Sequence, residues 1–171
     1  MNEDQYDRVI NLITNDNIVK NKHGKNTYAA LVDFSLNADE HRFFLVDLKQ
    51  EKIIYSGFTS HGQGSGTVLK ATDFSNVPES HKSSLGVMKT SETYQSAKVG
   101  FALKLHGLEI GKNENVFKRG IVIHSGDYVT AEYVKKNKFA GRSHGCVVLD
   151  PKVYKDIIEK LKGGSIVYIV K

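Results

Sequence analysis

The composition is that of one soluble globular domain. The chain has 171 residues, of which 40% are hydrophobic and 25% are charged, so it can bury a core of its own. Its single cysteine excludes an internal disulfide. No apolar run approaches the roughly 20 residues that span a bilayer. The first residues lack the basic and apolar regions of a signal peptide. The protein is therefore cytoplasmic, or its signal has been removed, or it is exported by another route.

The charge is basic but not concentrated. The net charge is +5 and the isoelectric point is about 9.1. Such a surface could meet nucleic acid, anionic lipid or an anionic cell-wall polymer. The lysines are scattered, and no zinc-finger spacing or aromatic-basic RNA motif occurs. This pattern favours a solubilising basic surface, and no nucleic-acid partner is predicted.

The first third of the chain predicts one helix and three strands. Tyr6, Val9, Ile10 and Ile13 recur at helical spacing, which predicts a helix over 4–15. Asparagine-rich turns are predicted at 15–17 and 21–26. The predicted strands cover 28–34, 42–48 and 52–58, and the last two form a hairpin.

A long polar segment, residues 59–84, follows these strands. A segment of this length without regular structure is usually functional or disordered. It contains Gly62, Gly64 and Gly66 at alternate positions. No helix follows as a dinucleotide-binding loop requires, so a flexible or close-packed loop is favoured.

The remaining residues predict more strands than helices. Strands are expected at 85–88, 101–105, 120–124 and 165–170, a helix at 127–136 and a loop at 138–145. A final helix is predicted to begin with Asp150 as its N-cap and Pro151 in its first turn, and to end at Gly163. Many short strands with few helices predict a mainly β, α+β fold without a linker that would divide it.

The chemistry is predicted to centre on Cys146. A thiolate can attack a carbonyl, and His124, at the end of a predicted strand, can take its proton. An imidazolium, or the positive end of the helix predicted after Asp150, would lower the thiol pKa. Gly145 would leave nearby backbone amides open as oxyanion donors. A small buried cysteine is the alternative, but the polar neighbours before Cys146 disfavour it.

The motif around Cys146 resembles a known family. Ser143-His144-Gly145-Cys146, with His124 upstream, is similar to the signature of the L,D-transpeptidases. Further segments resemble the murein branch of that family and extend the similarity over about residues 28–170. They are Phe74-Ser75-Asn76, Ser80-His81-Lys82-Ser83-Ser84-Leu85-Gly86, Thr90-Ser91-Glu92-Thr93-Tyr94, Leu105-His106-Gly107-Leu108-Glu109 and Arg119-Gly120-Ile121-Val122-Ile123-His124.

The resemblance implies a fold and a reaction. The expected fold is a mixed β-sandwich or roll, with the cysteine on a loop leading into a short helix. Residues 1–26 would form an N-terminal helix and loop, and 27–171 the catalytic domain. Cys146 would be acylated by peptidoglycan tetrapeptide stems and would form 3→3 cross-links. His124 would act as base, oriented by the carbonyl of Ser125.

Other implied properties concern the environment of the reaction. The backbone amides of His144, Gly145 and Cys146 would stabilise the oxyanion. Neither metal nor organic cofactor is expected. The protein would act as a monomer in the periplasm or otherwise outside the cytoplasm, and carbapenems would acylate it.

Five residues are predicted to contact the substrate: Arg142, Ser143, His81, Ser84 and Tyr94. Arg142 would hold a stem carboxylate with its planar fork. The chain departs from the family at Val148, where many members carry Arg or Asn, which bears on how that carboxylate is held. His144 stands where the murein branch often has tryptophan.

Three alternatives stay open. With water as acceptor, the same site is an L,D-carboxypeptidase. In a zinc-dependent cell-wall amidase, His124, His144 and Cys146 would be the metal ligands. In a wall-binding module, the basic face would bind anionic glycan and Cys146 would have no chemical role.

Overall fold

A computed structural model describes residues 1–22, 24 and 26–171. Four α-helices and eight β-strands are assigned within these residues, in the following order along the chain. They are α1 (Glu3–Asn15), α2 (Asn17–Lys22), β1 (Tyr28–Asp33), β2 (Phe43–Asp47), β3 (Lys52–Gly57), β4 (Gly86–Ser96), β5 (Gly100–Gly107), β6 (Val122–Ser125), α3 (Ala131–Asn137), β7 (Val147–Leu149), α4 (Tyr154–Leu161) and β8 (Ile166–Val170). The predicted mainly β, α+β class is confirmed.

The strands form one mixed sheet of eight, in the order β3-β2-β1-β8-β4-β5-β6-β7. The pairs β1–β8 and β6–β7 are parallel, and the others are antiparallel. The sheet rolls so that the chain after β3 reaches β7 at the opposite edge, where the Val148 amide donates to Thr59 Oγ1 at 3.2 Å.

Apolar residues are buried on both faces of the sheet. The larger cluster combines α4 with residues of β1, β2 and β4 to β8, including Phe43, Leu103 and Leu149. The second cluster lies under α1 and α2, which bury Val9, Ile13 and Val19. The α1 helix is also held to β1 by a 2.8 Å ion pair between Arg8 and Asp33. None of the helices in the described residues is long and apolar enough to cross a membrane.

Helix α2 and the second half of β4 were not predicted because their stabilising contacts are not periodic. The α2 helix follows Asp16, whose Oδ1 accepts the amides of Ile18 and Val19. It includes Asn21 and Lys22, so the turn predicted at 21–26 is wrong at its start and lies partly outside the described residues. Strand β4 runs on to Ser96 instead of ending at Met88, because after an irregularity its polar second half pairs with β5.

The prediction for the final helix is wrong at its N-terminus. The helix begins at Tyr154, and Val153 is its N-cap. Asp150 stabilises a preceding turn, its Oδ1 accepting the Lys152 amide at 2.8 Å. Strand β7 lies between Cys146 and this turn. Cys146 therefore leads into a strand and not into a short helix.

Candidate active site

Cys146 and His124 lie on one face of the β6–β7 pair. His124 is opposite Val148 in the parallel register. Cys146 and Val148 both pack into a small cluster with Tyr128 and Phe139, whereas Val147 faces the main core. With strands about 4.8 Å apart and about 3.3 Å per residue, Cys146 and His124 are diagonal neighbours, with Cα atoms roughly 8 Å apart. Their side chains can therefore meet above the sheet.

The His124 ring is held in the orientation of a general base. Its Nδ1 lies 2.8 Å from the carbonyl oxygen of Ser125. Because a carbonyl only accepts, Nδ1 carries the hydrogen and Nε2 of the neutral ring is left to accept a proton. Burial lowers the His124 pKa, and the Ser125 carbonyl offsets this only in part. The imidazole is therefore neutral at pH 7.

The Cys146 thiol is also neutral at rest. Burial raises its pKa, opposed by a backbone hydrogen bond from Val122 and by the charge of Arg119. Protein atoms surround Sγ densely, although the residue retains part of its accessible surface. The thiol donates to the carbonyl of Gly120 at 3.7 Å, and in the described part of the chain no hydrogen bond joins it to His124. This geometry favours proton removal by His124 during attack over a preformed ion pair.

The predicted assistance from a helix dipole is absent from this arrangement. The three residues of β7 alone extend about 10 Å, and the effect of a helix terminus fades within a turn. The expectation that the helix lowers the thiol pKa is therefore wrong.

Gly145 is required for two reasons that the sequence did not reveal. Its φ is +116°, a conformation that residues with a Cβ rarely adopt, and a Cβ would lie 2.8 Å from the carbonyl oxygen of Lys82. Its amide donates to Ser143 Oγ at 3.1 Å. Across residues 1–22, 24 and 26–171, the amides of His144 and Cys146 have no protein acceptor. These two amides, and not that of Gly145, are the uncommitted candidates for oxyanion donation.

Two hydroxyl groups fix the backbone of Cys146. Ser143 Oγ donates to the carbonyl of Cys146 at 2.9 Å, and Ser60 Oγ donates to the same oxygen at 3.1 Å. Ser60 belongs to the long segment 59–84, so this segment contacts Cys146 directly. Sequence reasoning did not identify Ser60, because its acceptor lies 86 residues away.

A cavity of about 380 Å³ is lined by Gly120, whose carbonyl accepts the Cys146 thiol, and by His144, whereas Cys146 and His124 are not among its lining residues. His81 and His144 form part of its wall and stack with ring centroids 4.0 Å apart and planes 4° apart. Polar and charged groups dominate the lining, which suits a peptide carrying carboxylates and amines. The lining residues are Glu79, His81, Tyr94, Ser96, Lys98, Val99, Arg119, Gly120 and His144.

The predicted substrate residues divide into two groups. His81 and Tyr94 line the cavity. Ser84 is only 1% exposed, and its hydroxyl donates to the Ser75 carbonyl. Ser143 is also buried, and Arg142 lies outside the cavity lining and donates to the Gln63 carbonyl at 3.3 Å. The structure therefore brings only the first group to the cavity surface.

Arg119 is the cavity residue that sequence reasoning missed. Its guanidinium bonds four oxygens of the segment 75–84, described below. In the sequence it follows Lys118 and resembles a solvated charge. Only its place in one of the family-like segments could have singled it out.

The glycine-rich part of segment 59–84 is close-packed. A Cβ at Gly62 would lie 2.3 Å from the His81 carbonyl oxygen, and one at Gly64 would lie 2.5 Å from that of Ser80. His61 is fully buried, with Nδ1 2.8 Å from Arg42 Nη2 and Nε2 2.8 Å from the Thr67 carbonyl. This network orders the segment without regular secondary structure.

The alternative zinc set does not converge. Within the described residues, no three His, Cys, Asp or Glu side chains are grouped to hold a metal ion. His144 stacks instead on His81 at the cavity wall. The donors present thus do not fit a zinc centre built from His124, His144 and Cys146.

Comparison with known proteins identifies the family to which this chain is similar. The model of the L,D-transpeptidase catalytic domain matches residues 2–170. No curated protein matches the sequence. Solved structures share the fold at low identity, so they bear on the fold alone.

An L,D-transpeptidase from Mycobacterium smegmatis is 12% identical, with TM-score 0.51, over 84% of this chain and 58% of that one. LD transpeptidase LdtMt1 in complex with imipenem is 12% identical, with TM-score 0.50, over 85% and 59%. A fused Zn-dependent amidase/peptidase/peptidoglycan-binding domain-containing protein from Clostridium acetobutylicum is 14% identical, with TM-score 0.54, over 99% and 63%. The chain spans less than two thirds of each of these structures. Together with the rolled sheet and the Cys146 site, the family match confirms the resemblance: the chain belongs to the L,D-transpeptidase catalytic domain family.

Proposed function

We propose that the protein is a cysteine L,D-transpeptidase that acts on peptidoglycan tetrapeptide stems. The observation that carries this proposal is the shared face of His124 and Cys146 beside a polar cavity, with His124 Nδ1 fixed by the Ser125 carbonyl. This arrangement leaves Nε2 to accept the thiol proton. It supplies a nucleophile, an oriented base and space for a peptide.

In the first half-reaction, the Cys146 thiol attacks the carbonyl carbon of the third stem residue while His124 Nε2 takes its proton. The negative oxygen of the tetrahedral intermediate would accept hydrogen bonds from the backbone amides of His144 and Cys146. Loss of one oxyanion donor typically costs about 2.7–4 kcal/mol of transition-state stabilisation. The C–N bond then breaks, His124 returns the proton to the leaving amine, and terminal D-alanine departs. A thioester on Cys146 remains.

In the second half-reaction, an amine of a neighbouring stem attacks the thioester. His124 takes a proton from the amine, the C–S bond breaks, and the Cys146 thiolate is reprotonated. The product is a 3→3 cross-link. Water at the same position would give the tripeptide instead, which is the L,D-carboxypeptidase reaction.

A peptidoglycan substrate implies work in the periplasm or elsewhere outside the cytoplasm. We propose a monomeric enzyme, because all the groups named in these steps belong to one chain. A carbapenem would acylate the same thiol.

Product analysis tests this function. The protein is incubated with disaccharide-tetrapeptide, and the products are separated and weighed by mass spectrometry. A cross-linked dimer lacking one D-alanine is expected, whereas tripeptide alone would assign the carboxypeptidase reaction. Cys146→Ala should yield neither product. Activity that survives Cys146→Ala but is lost in EDTA would contradict the proposal in favour of a metal-dependent amidase.

A further inference from the structure

Arg119 has an unusual set of partners for an arginine beside an active site. Nη1 donates to the Ser75 carbonyl at 2.6 Å and to Ser84 Oγ at 2.7 Å. Nη2 donates to Ser80 Oγ at 3.1 Å and to the Lys82 carbonyl at 2.6 Å. All four acceptors belong to residues 75–84. A planar guanidinium with several donors suits such a task better than an ammonium group.

The segment bonded by Arg119 contacts the nucleophile loop. The Lys82 carbonyl is the group that a Cβ at Gly145 would approach to 2.8 Å. On the other side, the backbone of Gly120, directly after Arg119, accepts the Cys146 thiol at 3.7 Å. Arg119 therefore joins segment 75–84, which contacts Gly145, to Gly120, whose carbonyl accepts the Cys146 thiol. It also lines the cavity itself.

The charge of Arg119 is not neutralised by a carboxylate. Among the ion pairs of the described residues, none includes Arg119. Its four partners are neutral oxygens, so the positive charge is left to act on Cys146. In agreement, its charge lowers the pKa of the thiol against the larger opposing effect of burial.

We propose that Arg119 is a positioning residue of this active site. Its guanidinium fixes segment 75–84 against the Cys146 loop, and its charge favours the thiolate that forms during attack. The first role sets the cavity wall that receives the stem peptide, and this part rests on the proposed function. The second role concerns the thiol alone and holds for any electrophile.

Two substitutions separate the roles. Arg119→Met removes both the hydrogen bonds and the charge. Arg119→Lys retains the charge, but a compact ammonium group cannot bond all four acceptors. Lys118→Met is the matched control, because it removes a neighbouring positive charge from an exposed side chain. Thermal unfolding and hydrogen exchange over residues 75–84 are measured for each variant.

The first readout is the rate of Cys146 alkylation by iodoacetamide against pH, which needs no peptidoglycan. Arg119→Met should move the titration upward by about 1 pH unit, the lower end of the effect of one opposite charge close to a titrating group. Arg119→Lys and Lys118→Met should follow the wild type. An unchanged profile in folded Arg119→Met would overturn the electrostatic role.

The second readout is acylation by the tetrapeptide stem. Both Arg119 variants should lose roughly 10- to 100-fold in kcat/KM, as expected for a misplaced reactive group, and exchange faster over 75–84. Wild-type rates and exchange in Arg119→Lys would overturn the positioning role. If the wild type itself is not acylated, the proposed function fails, while the alkylation profile still decides the electrostatic role.

Discussion

The two sides of the active site are built in different ways. On one side, His124 lies in β6 and Cys146 directly precedes β7, and the other face of this parallel strand pair is buried in the main core. On the other, residues 59–84 contain only a single 3₁₀ turn, Gln63–Ser65, yet bury Thr59, Ser60, His61, Ser65, Ser83 and Ser84. Apolar packing positions His124 and Cys146, whereas hydrogen bonds from hydroxyls, His61 and Arg119 position the cavity wall. A long segment with little regular structure is thus held in place by buried hydrogen bonds, where the strand pair is held by apolar packing.

The largest expected effect tests the strand side. His124→Gln removes the proton acceptor and should lower kcat/KM for acylation by about 10²- to 10⁴-fold. In the wild type, kcat/KM should fall on the acid side as His124 becomes protonated. Since burial lowers the His124 pKa, this limb should lie below pH 6.5. If kcat/KM instead falls near the pKa of the thiol, and does so equally in His124→Gln, His124 is not the base.

The next prediction concerns the contact of Gly145 with the Lys82 carbonyl, which joins the two sides. Gly145→Ala introduces a Cβ at φ +116° and 2.8 Å from the Lys82 carbonyl. We expect a loss of at least about 2 kcal/mol in the free energy of unfolding, from backbone strain and overpacking, together with slower acylation. Gly163→Ala is the matched control, because its φ is +79° but no atom lies within 4 Å. Equal losses in chemical denaturation would show that the contact with Lys82 is unimportant.

A third prediction concerns how the free energy of unfolding depends on pH through His61 of segment 59–84. Burial is the main reason that the pKa of His61 falls from 6.5 to about 4. Between pH 6.5 and about pH 4, His61 is protonated in the unfolded chain but neutral in the folded protein. The free energy of unfolding is therefore highest above pH 6.5 and falls as the pH is lowered through this range. The loss attributable to His61 is up to about 3 kcal/mol.

Chemical denaturation between pH 7 and pH 4 measures this loss. Asn can offer Arg42 an acceptor without titrating, so His61→Asn should flatten the pH dependence. A variant with the slope of the wild type would contradict the role of His61.

The smallest effect tests the two hydroxyls on the Cys146 carbonyl. Ser60→Ala and Ser143→Ala should each cost about 1 kcal/mol of stability. The double variant should lose more than the sum, because it leaves the carbonyl without either donor. A double-mutant cycle in urea measures the coupling. Strict additivity would mean that the two hydroxyls act independently.

The predictable parts of the fold were those with a local pattern. Strands β1 to β3, their hairpin and α1 follow from periodicity and turn residues. Strand β7 has only three residues and pairs in parallel with β6, more than 20 positions earlier, so no local signal marks it. Helix α2 depends on the side chain of Asp16, and the second half of β4 has a polar sequence typical of a turn.

The same limit applies to the candidate site. Cys146, His124 and the Ser125 contact were predictable because they lie within a compact motif and its upstream histidine. Arg119 was not, since its acceptors lie 35 to 44 residues upstream. Ser84 was predicted to contact substrate because it lies in a segment that resembles the family. The sequence does not reveal that its side chain is buried.

The most direct test of the account is the mass of the protein itself during turnover. Wild-type protein mixed with tetrapeptide stem is quenched in acid, weighed intact and mapped by peptide mass spectrometry. We expect an added tripeptide acyl group on the peptide containing Cys146 and no such adduct in folded Cys146→Ala. An adduct on another residue, or turnover of the stem with no acylated Cys146 at any time, would contradict it.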